Sequence, residues 1–141
     1  MRLVIIGNGL AATRLIESLT DRAPGRYAIT VIGDEQMPAY NRIQLSPVLG
    51  GEKEAAAIRL HDEAWYQQRG VTVLSGERVL AVECAARMLR TDKRLMGWDE
   101  LVFATGSQPF VPPIPGSGLP HVFTFRTLDD VNAILATPGP A

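Results

Sequence analysis

The sequence has a single cysteine, Cys84, so no intrachain disulfide can form and a disulfide-stapled scaffold is excluded. A lone thiol of this kind fits a cytoplasmic setting. Only two histidines occur, His61 and His121, and neither has an acid or cysteine at ligand spacing, which argues against a metal centre. No histidine stands at a telling distance from Ser46 or Ser107, so a hydrolase is set aside. Long apolar runs are missing. Residues 3–6 form one of the longest, far below the ~20 residues that a helix needs to cross a bilayer. Gly7 breaks that run before the core of a signal peptide could form. Neither sign of charge dominates: 14 Lys and Arg face 15 Asp and Glu, net charge is −1, and the arginines are scattered. Such a chain carries no electrostatic footprint for nucleic acid. The remainder is an ordinary globular composition, 46% hydrophobic and 21% charged over 141 residues. That length suffices for a domain burying roughly two-thirds of its unfolded surface.

The short continuous apolar run at 3–6 predicts a strand buried on both faces, as in a parallel sheet. Gly7-Asn8-Gly9 ends it. A helix is predicted over 10–22, with Leu15, Ile16 and Leu19 on one face and Pro24-Gly25 as the stop. Residues 27–32 predict a second strand, so the chain opens β-α-β over about 30 residues, the size of a crossover unit. A polar loop at 33–41, a short helix at 42–49 and a helix at 61–69 ended by Gly70 follow. A strand is predicted at 71–74. Residues 78–83, 88–91 and 94–98 predict a small antiparallel meander with a turn at Thr91-Asp92-Lys93, and 100–104 a further buried strand. The stretch 107–120, rich in proline and glycine, reads as a linker. A short strand at 122–125, a helix at 128–135 capped by Thr127, and a frayed end at 138–141 complete the chain. Trp65 and Tyr66 are expected to pack in the core, Cys84 to be a small core residue, and His61 to cap a helix or lie on the surface. The fold class expected from this order is α/β, with a parallel sheet and a small antiparallel β-meander.

Gly7-Asn8-Gly9-Leu10-Ala11-Ala12 matches G-x-G-x-x-G/A in the right context, strand before and helix after. Gly7 permits the tight turn, Gly9 lets the backbone approach a pyrophosphate, and Ala12 lets the helix pack closely on the sheet. The helix N-terminus then presents N–H groups and the positive end of its dipole to phosphate. An acid for the adenosine ribose is expected roughly 20 residues on. Gly33 stands at that place, and Asp34-Glu35 follow, so the acid is displaced by one or two positions. Either can reach the ribose; the plain alternative is a solvated acidic loop. Two acids there also argue against a 2′-phosphate. Ala104-Thr105-Gly106-Ser107 after a buried strand is a second glycine approach to the cofactor, and its pairing with the first shifts the choice from NAD to FAD.

Val4-Ile5-Ile6-Gly7-Asn8-Gly9 is one of four stretches that carry a family resemblance. The others are Pro38-Ala39-Tyr40-Asn41-Arg42-Ile43-Gln44-Leu45-Ser46, the Ala104-Thr105-Gly106 segment running on to Gly116, and Phe125-Arg126-Thr127-Leu128-Asp129-Asp130. Through them the chain resembles the FAD-dependent pyridine nucleotide-disulfide oxidoreductase superfamily in its electron-transfer branch. Within it the chain is most similar to the N-terminal FAD module of the NAD(P)H-dependent assimilatory nitrite reductases (large subunit). The resemblance implies that Gly9 to Ala12 meet the FAD pyrophosphate, that Arg42 neutralises it, and that Asp34 and Glu35 face the ribose. It implies further that Val79 holds the adenine through its backbone, that Gly106 approaches the cofactor, and that Arg126 lies near the flavin. Where some relatives carry a lysine after Leu-Ser, this sequence has Pro47. Disulfide and peroxide reductases of the superfamily carry a redox cysteine after the second strand. None lies between Gly33 and Glu83 here, so the flavin is expected to pass electrons to a partner centre of iron–sulfur, haem or rubredoxin type.

The expected fold is therefore a Rossmann-like FAD/NAD(P)-binding domain, and the expected layout is the N-terminal part of an FAD-binding domain at 1–110. Residues 111–141 would be a linker, short strand and helix leading toward an NAD(P)H-binding domain that lies outside this sequence. No second G-x-G-x-x-G follows a strand. A fragment of this kind is expected to be inactive alone and to self-associate through an uncovered sheet edge. The competing readings are a non-catalytic module binding a dinucleotide or ADP, and the NAD domain of an ordinary dehydrogenase; the Ala-Thr-Gly segment speaks against the latter.

Overall fold

A computed structural model describes residues 1–138. Residues 139–141, most of the frayed end expected at 138–141, lie outside the described residues.

The chain forms two compact units by its internal contacts. The larger comprises Met1–Tyr40 and Arg59–Gly106. It is built on four parallel strands, β1 (Arg2–Ile6), β2 (Ala28–Gly33), β3 (Val71–Ser75) and, last in sequence, β7 (Glu100–Phe103), in the order β3-β2-β1-β7. Helix α1 (Leu10–Arg22) makes the crossover from β1 to β2, and α3 (Glu63–Gln68) precedes β3. Side chains alternate across β1 because successive residues point to opposite faces. Leu3 and Ile5 pack with Ala12 and Ile16 of α1 and with Tyr66 of α3. Val4 and Ile6 pack on the other face with Ile32 and Leu89. That second layer is the meander β4 (Val79–Glu83), β5 (Met88–Thr91) and β6 (Leu95–Gly97). A strand covered on both sides must be apolar throughout, which is why residues 3–6 run without alternation.

The second unit joins Asn41–Ile58 to the segment from Ser107. A 3-10 turn at Arg42–Gln44 leads into α2 (Leu45–Leu49), and another lies at Ala55–Ile58. Helix α4 (Leu128–Leu135) packs against α2 around buried Leu45, Val48 and Val131.

Four expectations need correction. Strand β7 is not the buried strand expected at 100–104: Glu100 and Phe103 are exposed, because β7 is last in the sheet order and pairs only with β1 among the described residues. No strand forms at 122–125. The Thr124 hydroxyl and the Arg126 N–H instead bond the Asp130 carboxylate at 2.7 and 2.8 Å, so the segment caps α4 rather than entering a ladder. Cys84 is exposed, because it falls in the turn between β4 and β5 where no layer covers it. His61 is neither cap nor free surface. Asp62 caps α3, accepting from the Trp65 N–H at 2.8 Å, while His61 stacks on Trp65 at 3.7 Å and bonds Glu17 of α1 at 2.7 Å. That bond, from the imidazole first, holds the Glu17 carboxyl below its ordinary range. Among the described residues no helix is long and apolar enough to cross a membrane.

Candidate dinucleotide-binding site

In the larger unit, β1 delivers Gly7, Asn8 and Gly9 to the C-terminal edge of the parallel sheet. Gly7 has φ +103°, a region that favours glycine. Its N–H donates to the Ile32 carbonyl at 2.8 Å, and the Ala104 N–H donates to the Ile6 carbonyl at 2.7 Å. The turn is therefore held between β2 and β7. A Cβ on Gly7 would lie 2.2 Å from the Ala104 oxygen and 2.8 Å from the Thr105 nitrogen. The two glycine-bearing loops found in the sequence thus touch, and absence of a side chain at residue 7 is what allows it. Ala104 is half-buried, while Thr105 and Gly106, the latter at φ +71°, are exposed beside it.

Gly9 is the N-cap of α1, extended at φ −114°, ψ −166°, and no side chain caps the helix. A Cβ on Gly9 would meet nothing within 4 Å. Leu10 and Ala11 are exposed, and Ala12 is fully buried against the sheet. The first-turn N–H groups of a helix have no intrahelical acceptors, so an uncapped N-terminus facing open space suits a diphosphate. The donor set fits the nucleotide half of FAD. Asn8 adds a further sign: both Oδ1 and Nδ2 are buried without a hydrogen-bond partner.

At the end of β2, Asp34 is exposed and pairs with Arg78 (Nη2 to Oδ2, 3.2 Å), and Glu35 accepts from the Tyr40 hydroxyl. The Asp34 pair is solvated on both sides, whereas Glu35 is half-buried. The loop before β4 crosses back here, Gly76 and Glu77 donating their N–H groups to the carbonyls of Glu35 and Gly33, both at 2.9 Å. Glu77, only 2% exposed, takes the Thr91 hydroxyl at 2.7 Å and Arg94 Nε at 2.9 Å. Val79 follows two residues later and pairs with Thr91. Sequence reasoning missed Glu77, Arg78 and the Tyr40 hydroxyl. Tyr40 stood in the Pro38–Ser46 stretch, but local pattern has no way to show that its ring reaches Glu35.

In the second unit, Arg42 and Arg126 lie 84 positions apart and come together: Arg42 Nη1 donates to the Arg126 carbonyl at 3.0 Å. The capping of α4 holds that carbonyl's residue in place, since Asp130 binds the N–H of Arg126 and Thr127, both at 2.8 Å.

Residues 1–141, the whole chain, match the pyridine nucleotide-disulphide oxidoreductase family. The chain belongs to that family. It is 40% identical over 135 residues to the assimilatory nitrate reductase electron transfer subunit of Bacillus subtilis, covering 95% of this chain and 18% of that protein. It is 38% identical over 136 residues to the nitrite reductase (NADH) large subunit of Escherichia coli, covering 95% and 16%. The family's fold is matched as well in the crystal structure of a ferredoxin reductase from Rhodopseudomonas palustris, with TM-score 0.85 and 27% identity over 94% of this chain and 33% of that one. This pyridine nucleotide-disulphide oxidoreductase chain thus spans under a fifth of the curated relatives just named.

Proposed function

We propose that this chain is the adenine-nucleotide half of an FAD site in an NAD(P)H-dependent flavoprotein oxidoreductase of nitrite reductase-like type, one that passes electrons to a partner redox centre. The observation that carries the reading is the meeting of two loops. Gly7 packs against the Ala104–Thr105 peptide beside an uncapped α1 and an open Gly9, which leaves the edge of the sheet clear for a diphosphate. The electron-transfer and reductase roles named for the relatives support the rest.

In this reading Gly9, Leu10, Ala11 and Ala12 receive the pyrophosphate, Gly7 and Asn8 border the cofactor in the turn before them, and Arg42 balances the phosphate charge. Asp34 and Glu35 flank the ribose, the backbone of Val79 borders the adenine, Ala104, Thr105 and Gly106 close on the cofactor, and Arg126 lies toward the flavin. The flavin, when bound, supplies the hydride and electron chemistry, and the chain's own residues bind and orient it. The 1–110 segment is then the N-terminal part of the FAD-binding domain, and 111–141 leads toward the domain for NAD(P)H. The acceptor is an iron–sulfur, haem or rubredoxin-type centre, and the setting is cytoplasmic. Among the described residues β7 pairs only with β1, so its outer edge is open to a second copy. Clean monomer in sedimentation at high concentration would count against such self-association.

The test is a titration of the protein with FAD, followed by flavin fluorescence, with ADP and NAD as competitors. Binding of FAD that ADP displaces better than NAD supports the flavoprotein reading. Preference for NAD overturns it, and tight ADP binding with no preference for FAD favours a non-catalytic adenylate module.

A further inference from the structure

We propose that the side-chain amide of Asn8, and not a carboxylate at the end of β2, reads the adenosine ribose. The inference rests on the nucleotide reading above and assigns one residue within it. In this fold class the ribose lies at the C-terminal end of the second strand, where an acid ordinarily accepts from its hydroxyls. The last residue of β2 here is Gly33. A Cβ on Gly33 would lie 2.9 Å from the Cβ of Asn8, closer than such atoms approach. Asn8 thus occupies the space that a side chain at position 33 would need, and the two positions trade places.

Of the neighbouring acids, Glu35 takes the Tyr40 hydroxyl, and Asp34 points into solvent in an exposed pair with Arg78. The Asn8 amide has its whole hydrogen-bonding capacity unspent, since Oδ1 and Nδ2 are both buried and neither has a partner. Unpaired buried polar groups are rare and call for an explanation. An amide both donates and accepts, which suits a ribose diol whose two hydroxyls do the same. A carboxylate could only accept. Both amide atoms are closed to water, so their contact with a ribose requires a local shift of this turn. A neutral reader also lacks the charge that would repel a 2′-phosphate.

Calorimetric titration with ADP and 2′-deoxy-ADP tests the assignment. The unsubstituted protein should hold ADP about three- to tenfold more tightly, the worth of one ordinary hydrogen bond. Asn8→Ala should bring that ratio to about one. The same variant should leave the urea midpoint of the nucleotide-free protein unchanged or higher, because an orphaned amide is removed. A merely structural Asn8 would lower the midpoint and leave the ratio alone. Asn8→Asp, nearly the same shape, should keep the ratio and weaken 2′-phospho-ADP beyond its weakening in the unsubstituted protein. The inference falls if the unsubstituted protein does not discriminate the two nucleotides, or if Asn8→Ala still does. If the unsubstituted protein binds neither FAD nor ADP, the nucleotide reading itself fails, a result distinct from binding without discrimination.

Discussion

Gly7 carries two constraints at once, a positive φ and a backbone oxygen 2.2 Å from where a Cβ would stand. Gly7→Ala must therefore push β1 away from β7, since the obstacle is main chain and has no rotamer to escape into. Expected are a loss of roughly 2 kcal/mol or more in stability and loss of FAD binding, read from the urea midpoint and flavin fluorescence. Asp99 is a different kind of residue. Hydrogen bonds from the Arg2 guanidinium at 3.0 Å and the Arg2 N–H at 2.7 Å tie the approach to β7 to the start of β1. The guanidinium bond first, then the N–H, lower its carboxyl pKa to about 2. A carboxylate depressed in the folded state adds stability that is complete above its unfolded pKa, about 3.9, and is lost as pH falls through the folded value. The urea midpoint of the unsubstituted protein should then fall between pH ~4 and ~2 more steeply than that of Asp99→Asn. Parallel curves for the two would remove this contribution. The pair is largely exposed, so the difference should be small and shrink in salt.

At the scale of elements, the two longest helices begin in opposite ways. Helix α1 starts at Gly9 with no side-chain cap, leaving its first turn to a ligand. Helix α4 starts with a capping box: Thr127 accepts from the Asp130 N–H at 3.1 Å, and Asp130 accepts from the Thr127 N–H at 2.8 Å. Burial works against the Asp130 charge, but the Thr124 hydroxyl and the surrounding N–H groups outweigh it and hold the carboxyl below its usual range. Thr127→Ala should cost about 1 kcal/mol. Because Asp130 also fixes the Arg126 N–H, this variant should weaken FAD as well if Arg126 lies at the flavin. Unchanged affinity alongside a lowered melting temperature would confine Thr127 to capping. The failed strand at 122–125 belongs here too. Val122-Phe123-Thr124-Phe125 has the composition of a strand, but a strand exists only where a neighbour completes its hydrogen bonds. Composition reports the side chains and says nothing of the neighbour.

Across the larger unit, the antiparallel sheet is fastened to the parallel one through Glu77. Its N–H reaches the Gly33 carbonyl at the end of β2, while its carboxylate takes Thr91 of β5 and Arg94 just before β6. Arg94→Ala leaves a buried carboxylate without its cation. The expected cost is about 2 kcal/mol, below the range for fully buried pairs because Arg94 is half exposed. Hydrogen exchange should rise in β4–β6 before it rises in β1–β3. Equal protection in both sheets would mean that apolar packing around Leu89 alone holds them together.

Much of this was legible in order along the chain. Strand β1, the glycine turn, α1 and β2 follow from short-range pattern, because a strand buried on both faces, a left-handed turn and a one-sided helix each impose a local residue choice. The Thr127 cap and the turn at Thr91 are local in the same way, and the glycine loop with its Ala-Thr-Gly counterpart could be named as a pair. Their contact could not, since residues 7 and 104 meet only through the parallel register of β1 with β7. The Asn8–Gly33 exchange, the burial of Glu77, the Arg42–Arg126 bond and the exposure of Cys84 are of the same class. By itself the sequence determined most of the elements, the strand at 122–125 excepted, and which turns need glycine, because those depend on neighbours three or four residues away. Only the tertiary structure decided which polar groups find partners and which stay unpaired, because a hydrogen bond depends on distance in space, and that is set by how the sheets and helices pack.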